Sequence, residues 1–174
     1  CELIKIPGKD TPLGSDVAQQ VMRVHEESAS VNIDVLNVGT AAYEALLAFD
    51  VPVVPVNFGG GSDMYDRSGK YQLINKRAEG YWRFRELLDP ELGDAPSGGR
   101  KNLAHICLPP DKELAADLIS PRYRITPRGI LIEDKAAVKK RRGGTLDCGD
   151  AVVLASMYDG HSEPDFQSYG ERIF

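Results

Sequence analysis

Two short apolar runs separated by a helical stretch do most to limit the folds open to this chain. Val31–Val35 and Val51–Phe58 have the length and the β-branched content of buried strands, and a helix is predicted between them over Ala41–Phe49. A further strand is predicted over Cys1–Ile6, and a helix from residue 15 or 16 to about 27. The order strand, helix, strand, helix, strand is typical of a parallel sheet covered by helices, so the sequence predicts an α/β fold.

The second half of the chain adds helices and one hairpin to this plan. Helical spacing predicts a long helix over Leu73–Leu88, a short one over Glu113–Ile119 and a last one from about Asp147. Two β-rich runs, 123–126 and 130–133, flank Pro127-Arg128-Gly129 and predict a β-hairpin. Because it contains no internal repeat and no linker, the sequence predicts a single domain over residues 1–160. A polar tail is predicted over 161–174, and a surface loop over 89–100.

Charge and composition exclude several function classes. The chain has 174 residues and a formal net charge of -5, which argues against a nucleic-acid coat protein or a membrane-surface protein. No apolar run reaches the length of a transmembrane helix, and the three cysteines form no CxxC pair, so neither a disulfide framework nor a zinc site is expected. An acidic average still suits a nuclease, whose clustered carboxylates hold metals while a local basic patch binds phosphates.

Three aspartates in two distant segments are the candidate metal ligands. Asp34 ends the first buried run, and ligands gather beyond the carboxyl ends of parallel strands. Asp147 and Asp150 lie three residues apart at a helix start, which puts their carboxylates on one face. Converging carboxylates are what hard divalent cations need, and two such ions about 4 Å apart are the usual device for phosphodiester hydrolysis.

The alternative interpretation of the same aspartates is helix capping. Asp34 precedes a turn into a helix, and Asp147 suits an N-cap position beside the positive end of a helix dipole. Capping explains Asp150 less well, because Asp150 lies among Ala, Val and Val, where a buried charge is costly without a partner. A metal ion is one such partner.

Two groups of basic residues are candidates for phosphate contact. They are Lys76 and Arg77 at the start of the long helix, and Lys135, Lys139, Lys140 and Arg141 before the acidic helix. Lysine and arginine clusters of this kind neutralise DNA phosphates. The alternative is that each is an ordinary solvated side chain.

In their order and spacing, these residues resemble the nuclease domain of the large terminase subunit of tailed bacteriophages, a ribonuclease H-like family. The resemblance covers about residues 1–158. Four segments carry it: Asn32-Ile33-Asp34-Val35-Leu36-Asn37-Val38-Gly39; Val54–Gly60 with Asn75–Trp82; Leu108–Leu114 with the 123–133 hairpin; and Glu133–Arg141 with Thr145-Leu146-Asp147-Cys148-Gly149-Asp150-Ala151. The resemblance implies a ribonuclease H-like mixed sheet flanked by helices, with an added β-hairpin.

The sequence departs from the family in one respect. The family's first metal-binding aspartate lies on a β-hairpin that would precede Cys1, so the resemblance begins at the family's third strand, and a chain that begins at Cys1 without Met suggests a fragment. The resemblance therefore implies a site in which Asp34, Asp147 and Asp150 are present and the ligand that bridges the two ions is not.

The resemblance implies a metal-dependent endonuclease that cuts concatemeric viral double-stranded DNA during packaging into the phage head. Two Mg²⁺ or Mn²⁺ ions would be held by Asp34, Asp147, Asp150 and the missing aspartate, with Lys135 holding a phosphate or orienting a carboxylate. The hairpin would guide the duplex or press against an ATPase motor domain. The implied partners are that motor, the small terminase subunit and the portal, with no membrane, in the cytoplasm of the bacterial host.

Two other classes of function fit the same pattern. One is a related ribonuclease H-like resolvase, which would dimerise and prefer branched DNA. The other is an inactive prophage remnant that binds DNA or packaging proteins without cutting.

Overall fold

A computed structural model of this protein describes residues 2–27, 29–36, 38–89, 106 and 108–157. These residues form two compact units: an N-terminal unit, Gly8–Val56, and a C-terminal unit, Asn57–Met157 together with the residues before Gly8. The predicted polar tail, 161–174, lies outside the described residues, as does the predicted surface loop from residue 90 onward.

The N-terminal unit contains the predicted strand–helix–strand arrangement. Its helices and strands are α1 (Gly14–Val24), β1 (Val31–Asp34), α2 (Val38–Leu47) and β2 (Val53–Val56). The two strands pair in parallel, with Ile33 opposite Pro55 and Asp34 opposite Val56. Ala18 and Leu46 are fully buried and form a core with Val53 beneath the strands, because the apolar side of each helix faces the β-branched side chains. The predicted parallel pairing is confirmed.

The described residues of the C-terminal unit form four helices and a hairpin. These are α3 (Lys76–Leu88), α4 (Lys112–Ile119), β3 (Tyr123–Thr126), β4 (Gly129–Ile132), α5 (Lys135–Arg142) and α6 (Asp147–Ala155). β3 and β4 pair antiparallel, with Thr126 opposite Gly129 at the turn, which confirms the predicted hairpin. The mixed α/β class that the sequence predicts is confirmed as well.

Side-chain caps set most of the helix starts in this unit. Asn75, Asp111 and Asp134 each accept a hydrogen bond from the backbone N–H three residues later, at 2.8, 2.8 and 2.7 Å. Such caps satisfy N–H groups that have no partner within the helix. The cap at Asn75 explains why α3 begins at Lys76 and not at Leu73, as helical spacing alone predicts.

The strand predicted over Cys1–Ile6 is wrong for the described residues 2–6, which join no sheet. Ile4 and Ile6 are 54% and 41% exposed, so the partial alternation has no buried face to form. The segment is fastened instead by Lys5, whose ammonium lies 2.8 Å from carboxylate oxygens of both Asp111 and Glu113. None of the helices in the described part of the chain has the length and hydrophobicity that crossing a membrane requires.

Candidate functional site

The first turn of α6 carries two of the three predicted metal ligands. Asp147 is the first residue of the helix, and the Asp150 N–H closes the first helical turn by donating to Leu146 O at 2.8 Å. The two carboxylates lie in very different surroundings. The Asp147 side chain is 68% exposed, whereas that of Asp150 is 11% exposed. The structure therefore places both aspartates at a helix start, as the sequence predicts.

The buried carboxylate of Asp150 is held by two side chains from α3. Arg77 Nη1 lies 2.8 Å and the Tyr81 hydroxyl 2.6 Å from the same oxygen, Asp150 Oδ1. Arg77 and Tyr81 are four residues apart, so they share one face of α3. The other amino group of Arg77, Nη2, is buried and has no hydrogen-bond partner among the described residues. Arg77 therefore binds Asp150 through one oxygen and leaves Oδ2 for another group.

Tyr81 acts as a hydrogen-bond donor at any ordinary pH. Burial raises the pKa of the Tyr81 hydroxyl well above its usual range, and the neighbouring Asp150 carboxylate raises it further. The hydroxyl therefore keeps its proton, which is the proton that Asp150 Oδ1 accepts.

The ammonium of Lys135, the first residue of α5, lies between the two aspartates. Its Nζ is 2.7 Å from Asp147 Oδ1 and 3.4 Å from Asp150 Oδ2. Burial alone would lower the pKa of Lys135, but the hydrogen bond to Asp147 and the charge of Asp150 outweigh it and raise that pKa. Both carboxylates thus direct one oxygen toward the same positive charge.

Asp147 remains ionised because hydrogen bonds stabilise its charged form. Partial burial works to raise its pKa, but the hydrogen bonds from Lys135 and Thr145 outweigh that effect and hold the pKa of Asp147 below its usual range. The Thr145 hydroxyl donates to Asp147 Oδ2 at 2.7 Å. The site therefore offers anionic oxygens at neutral pH.

Asp34 belongs to the N-terminal unit, where it ends β1. Its backbone is fixed by pairing with β2 opposite Val56, and the chain then turns into α2. Gly39 is packed on this turn so closely that a Cβ on it would lie 1.8 Å from the carbonyl oxygen of Asp34. Only glycine fits there without moving the strand end, so Gly39 helps to define where Asp34 lies.

We expect Gly39→Ala to destabilise the protein by about 1–3 kcal/mol, the cost typical of forcing atoms into a packed site. The reason is the overlap of the added methyl group with Asp34 O. Chemical denaturation followed by circular dichroism measures the change. Gly8→Ala is the matched control, because a Cβ on Gly8 meets nothing within 4 Å. Equal stabilities of the two variants would contradict the packing argument.

Besides Lys135, three of the residues predicted to contact DNA are engaged in ion pairs within the protein. Arg77 is 7% exposed and bound to Asp150. Lys76 Nζ lies 3.0 Å from a carboxylate oxygen of the buried Glu79. Arg141 Nη2 lies 2.7 Å from Glu133 Oε2 and also donates to a backbone carbonyl. These contacts give all three side chains a structural role.

The other two predicted DNA contacts, Lys139 and Lys140, are exposed on α5 and make no ion pair with any residue that the structure describes. Lys139 lies one helical turn after Lys135, and its charge helps to lower the pKa of Asp147. Of the residues predicted to contact DNA, these two lysines therefore remain available to a phosphate, and Lys139 is the one whose charge acts on Asp147.

The carboxylates of the C-terminal unit fit a divalent cation in their chemistry. Asp147 and Asp150 present oxygen atoms, the ligands that Mg²⁺ and Mn²⁺ prefer, and both oxygens already face one positive charge. Within the ranges that the structure describes, no group of three or more His, Cys, Asp or Glu side chains is placed to hold a metal ion.

Sequence reasoning missed two contributors to this site. They are Tyr81 and Thr145, to which the sequence alone assigns no role in the site. The one signal available for Tyr81 was its spacing of four residues from Arg77, and nothing in the sequence indicates that both would reach Asp150, 73 residues beyond Arg77.

Comparison with solved structures finds a similar fold in one viral protein. It is the nuclease domain of the large terminase subunit gp2 of bacterial virus Sf6, solved as a lysine-to-alanine mutant with manganese. The match covers 83% of this chain and 71% of that chain, at a TM-score of 0.50 and 17% sequence identity. The same mutant with manganese and β-thujaplicinol gives a TM-score of 0.49 at 16% identity, covering 83% and 70%.

No protein-family model and no curated protein matches the sequence. At 17% identity the structural likeness establishes the fold. The predicted α/β fold class is therefore confirmed, and the fold is similar to that of this terminase nuclease domain.

Proposed function

We propose that this chain is a metal-dependent endonuclease of the terminase type, which cuts concatemeric viral double-stranded DNA during packaging into a phage head. The observation that supports it most is the convergence of Asp147 and Asp150 on one cationic group at the first turn of α6. This geometry occurs in a fold similar to that of a terminase nuclease domain. The proposed partners are double-stranded DNA, an ATPase motor domain, a small terminase subunit and a portal.

In this proposal Asp147 and Asp150 would hold Mg²⁺ or Mn²⁺, and Asp34 is proposed as a further metal ligand. When bound, such ions lower the pKa of a water molecule and stabilise the leaving oxygen of the phosphodiester. Arg77 and Tyr81 orient Asp150 by occupying Oδ1, so that Oδ2 faces the site. Lys135, whose ammonium lies 2.7 Å from Asp147, balances the charge of the two carboxylates and would contact a phosphate of the bound DNA.

Lys139 and Lys140 would bind the DNA backbone next to the carboxylates. We expect Lys139→Gln to weaken binding to duplex DNA uniformly across sequences and to reduce the slope of log K against log salt by about 1, as the loss of one phosphate contact does. Fluorescence anisotropy at several salt concentrations measures this. Lys112→Gln, an exposed lysine on α4, is the matched control. An unchanged salt slope for Lys139→Gln would remove Lys139 from the DNA contact.

The proposal is tested by incubating supercoiled plasmid with Mn²⁺ and either this chain or a version extended upstream of Cys1. We expect nicked and linear products with Mn²⁺ and none with EDTA. Cleavage by the extended version alone would support the proposal and assign an essential ligand to the added segment. Absence of cleavage by both would overturn it in favour of a DNA-binding or partner-binding remnant. If the same protein cuts four-way DNA junctions much faster than linear duplex DNA, the resolvase alternative is favoured.

A further inference from the structure

The start of α6 lacks the local cap that its neighbours have. Its N-cap residue is Leu146, which offers no side-chain acceptor to the first N–H groups of the helix. A helix start that is buried without acceptors is costly. The missing acceptor comes from another helix: Asp117 of α4 is 1% exposed, and its Oδ2 lies 3.1 Å from the N–H nitrogen of Cys148 and 3.2 Å from that of Gly149.

The charge of Asp117 is balanced by the last residue of α5. Arg142 Nη1 lies 2.6 Å from Asp117 Oδ1, so each oxygen of this buried carboxylate has its own donors. Because Lys135, at the other end of α5, binds Asp147 and Asp150, α5 is joined to the first turn of α6 at both of its ends. Lys135 contacts the aspartates of α6 directly, whereas Arg142 contacts Asp117, which in turn caps α6.

Gly149 provides a second, independent indication that α4 fixes this turn. A Cβ on Gly149 would lie 2.8 Å from Asp117 Cβ and 3.3 Å from the Asp117 backbone carbon. Real side chains do not approach so closely, so the absence of a side chain at 149 is what lets the two backbones meet. The residue that touches α4 lies between the two aspartates of the site.

We propose that Asp117 is a positioning residue for the metal site: by capping α6 from α4, it fixes the turn that presents Asp147 and Asp150. This inference rests on the proposed function, because it assigns a metal to those two carboxylates. A cap that served only the stability of α6 would predict that its loss lowers the melting temperature and leaves metal affinity unchanged. A positioning residue predicts weaker metal binding in addition to that lower melting temperature.

The variant that separates these roles is Asp117→Asn. An asparagine has one oxygen and one amino group, so it cannot accept from both Arg142 and the two N–H groups of α6 at once. The matched control is Glu133→Gln, which breaks an ion pair of similar length, Arg141 to Glu133 at 2.7 Å, without touching α6. Hydrogen exchange at Cys148 and Gly149 then reports the cap, and calorimetric titration with MnCl₂ reports the site.

We expect Asp117→Asn to speed amide exchange at Cys148 and Gly149 by about tenfold, the loss expected for one helix cap. We also expect it to weaken Mn²⁺ binding by about 10–100-fold, as loss of an outer partner of metal ligands does. The melting temperature of Asp117→Asn should be lower than that of Glu133→Gln, because the Asp117 carboxylate is buried and that of Glu133 is partly exposed. Excess Mn²⁺ should restore plasmid cleavage by Asp117→Asn, which would not occur if the variant were misfolded.

If the Mn²⁺ affinities of Asp117→Asn and Glu133→Gln differ by no more than about twofold, the inference is overturned, even if amide exchange at Cys148 and Gly149 is faster in Asp117→Asn. Failure of the unsubstituted protein to bind Mn²⁺, both as this chain and with the upstream extension, would instead overturn the proposed function. In that case the ¹³C shift of the Asp150 carboxyl group decides whether Asp117 positions the turn. A shift that moves in Asp117→Asn and not in Glu133→Gln supports positioning, and one that stays in place contradicts it.

Discussion

Replacing Asp147 by asparagine is expected to lower Mn²⁺-dependent plasmid cleavage at least about 100-fold while leaving the fold intact. Loss of a metal ligand forfeits several kcal/mol of transition-state stabilisation, and each 1.4 kcal/mol is about tenfold in rate. The side chain of Asp147 is 68% exposed, so its replacement should change the free energy of unfolding by no more than about 0.5 kcal/mol. Cleavage kinetics and urea denaturation on the same preparation measure both effects.

The control for this variant is Asp63→Asn, which removes the charge of another exposed aspartate in the C-terminal unit. It should cut DNA at the unsubstituted rate. If Asp147→Asn is as active as Asp63→Asn, Asp147 is not a ligand, and its contacts with Lys135 and Thr145 serve the start of α6 alone.

The largest loss of stability is expected from Arg77→Met. This change leaves the Asp150 carboxylate buried without its main charge partner, and breaking one side of a buried ion pair costs about 3–5 kcal/mol. Tyr81 and Lys135 retain contact with Asp150, so we expect the lower end of that range, about 3 kcal/mol. Urea denaturation measures it, and Arg85→Met, which replaces an exposed arginine on the same helix, is the control.

A second substitution shows whether the unpaired charge causes the loss. Adding Asp150→Leu to Arg77→Met removes the buried carboxylate, and replacing both members of a buried pair by apolar groups is often neutral or stabilising. The double variant should therefore recover most of the lost stability while remaining unable to cut DNA. A double variant no more stable than Arg77→Met would mean that Arg77 acts mainly through packing against Phe58 and Tyr81.

Local sequence signals predicted the elements whose start and end depend on neighbouring residues. The hairpin around Pro127-Arg128-Gly129, the strand that ends at Asp34 and the helix that begins at Asp147 are present in the structure. Each depends on alternation, a turn residue or a cap, which act within a few residues. The same reasoning failed at residues 2–6, where an alternating segment has no neighbouring strand with which to pair.

The partners of the buried charges could not be predicted in this way. The sequence indicates that the carboxylate of Asp150 needs a partner if it is buried, and a metal ion is one such partner. In the structure Arg77, 73 residues away in the chain, supplies a positive charge. Asp117 resembles any acidic residue on an amphipathic helix, yet it caps a helix that begins 30 residues later. Long-range pairings of this kind depend on how helices pack, and nothing in local spacing encodes them.

The most direct test of the metal site is anomalous diffraction from crystals of this protein soaked in MnCl₂. We predict anomalous peaks within coordination distance of Asp147 and Asp150, with the ammonium of Lys135 moved from between the two carboxylates. Manganese bound only elsewhere, with the ammonium of Lys135 still between Asp147 and Asp150, would contradict it.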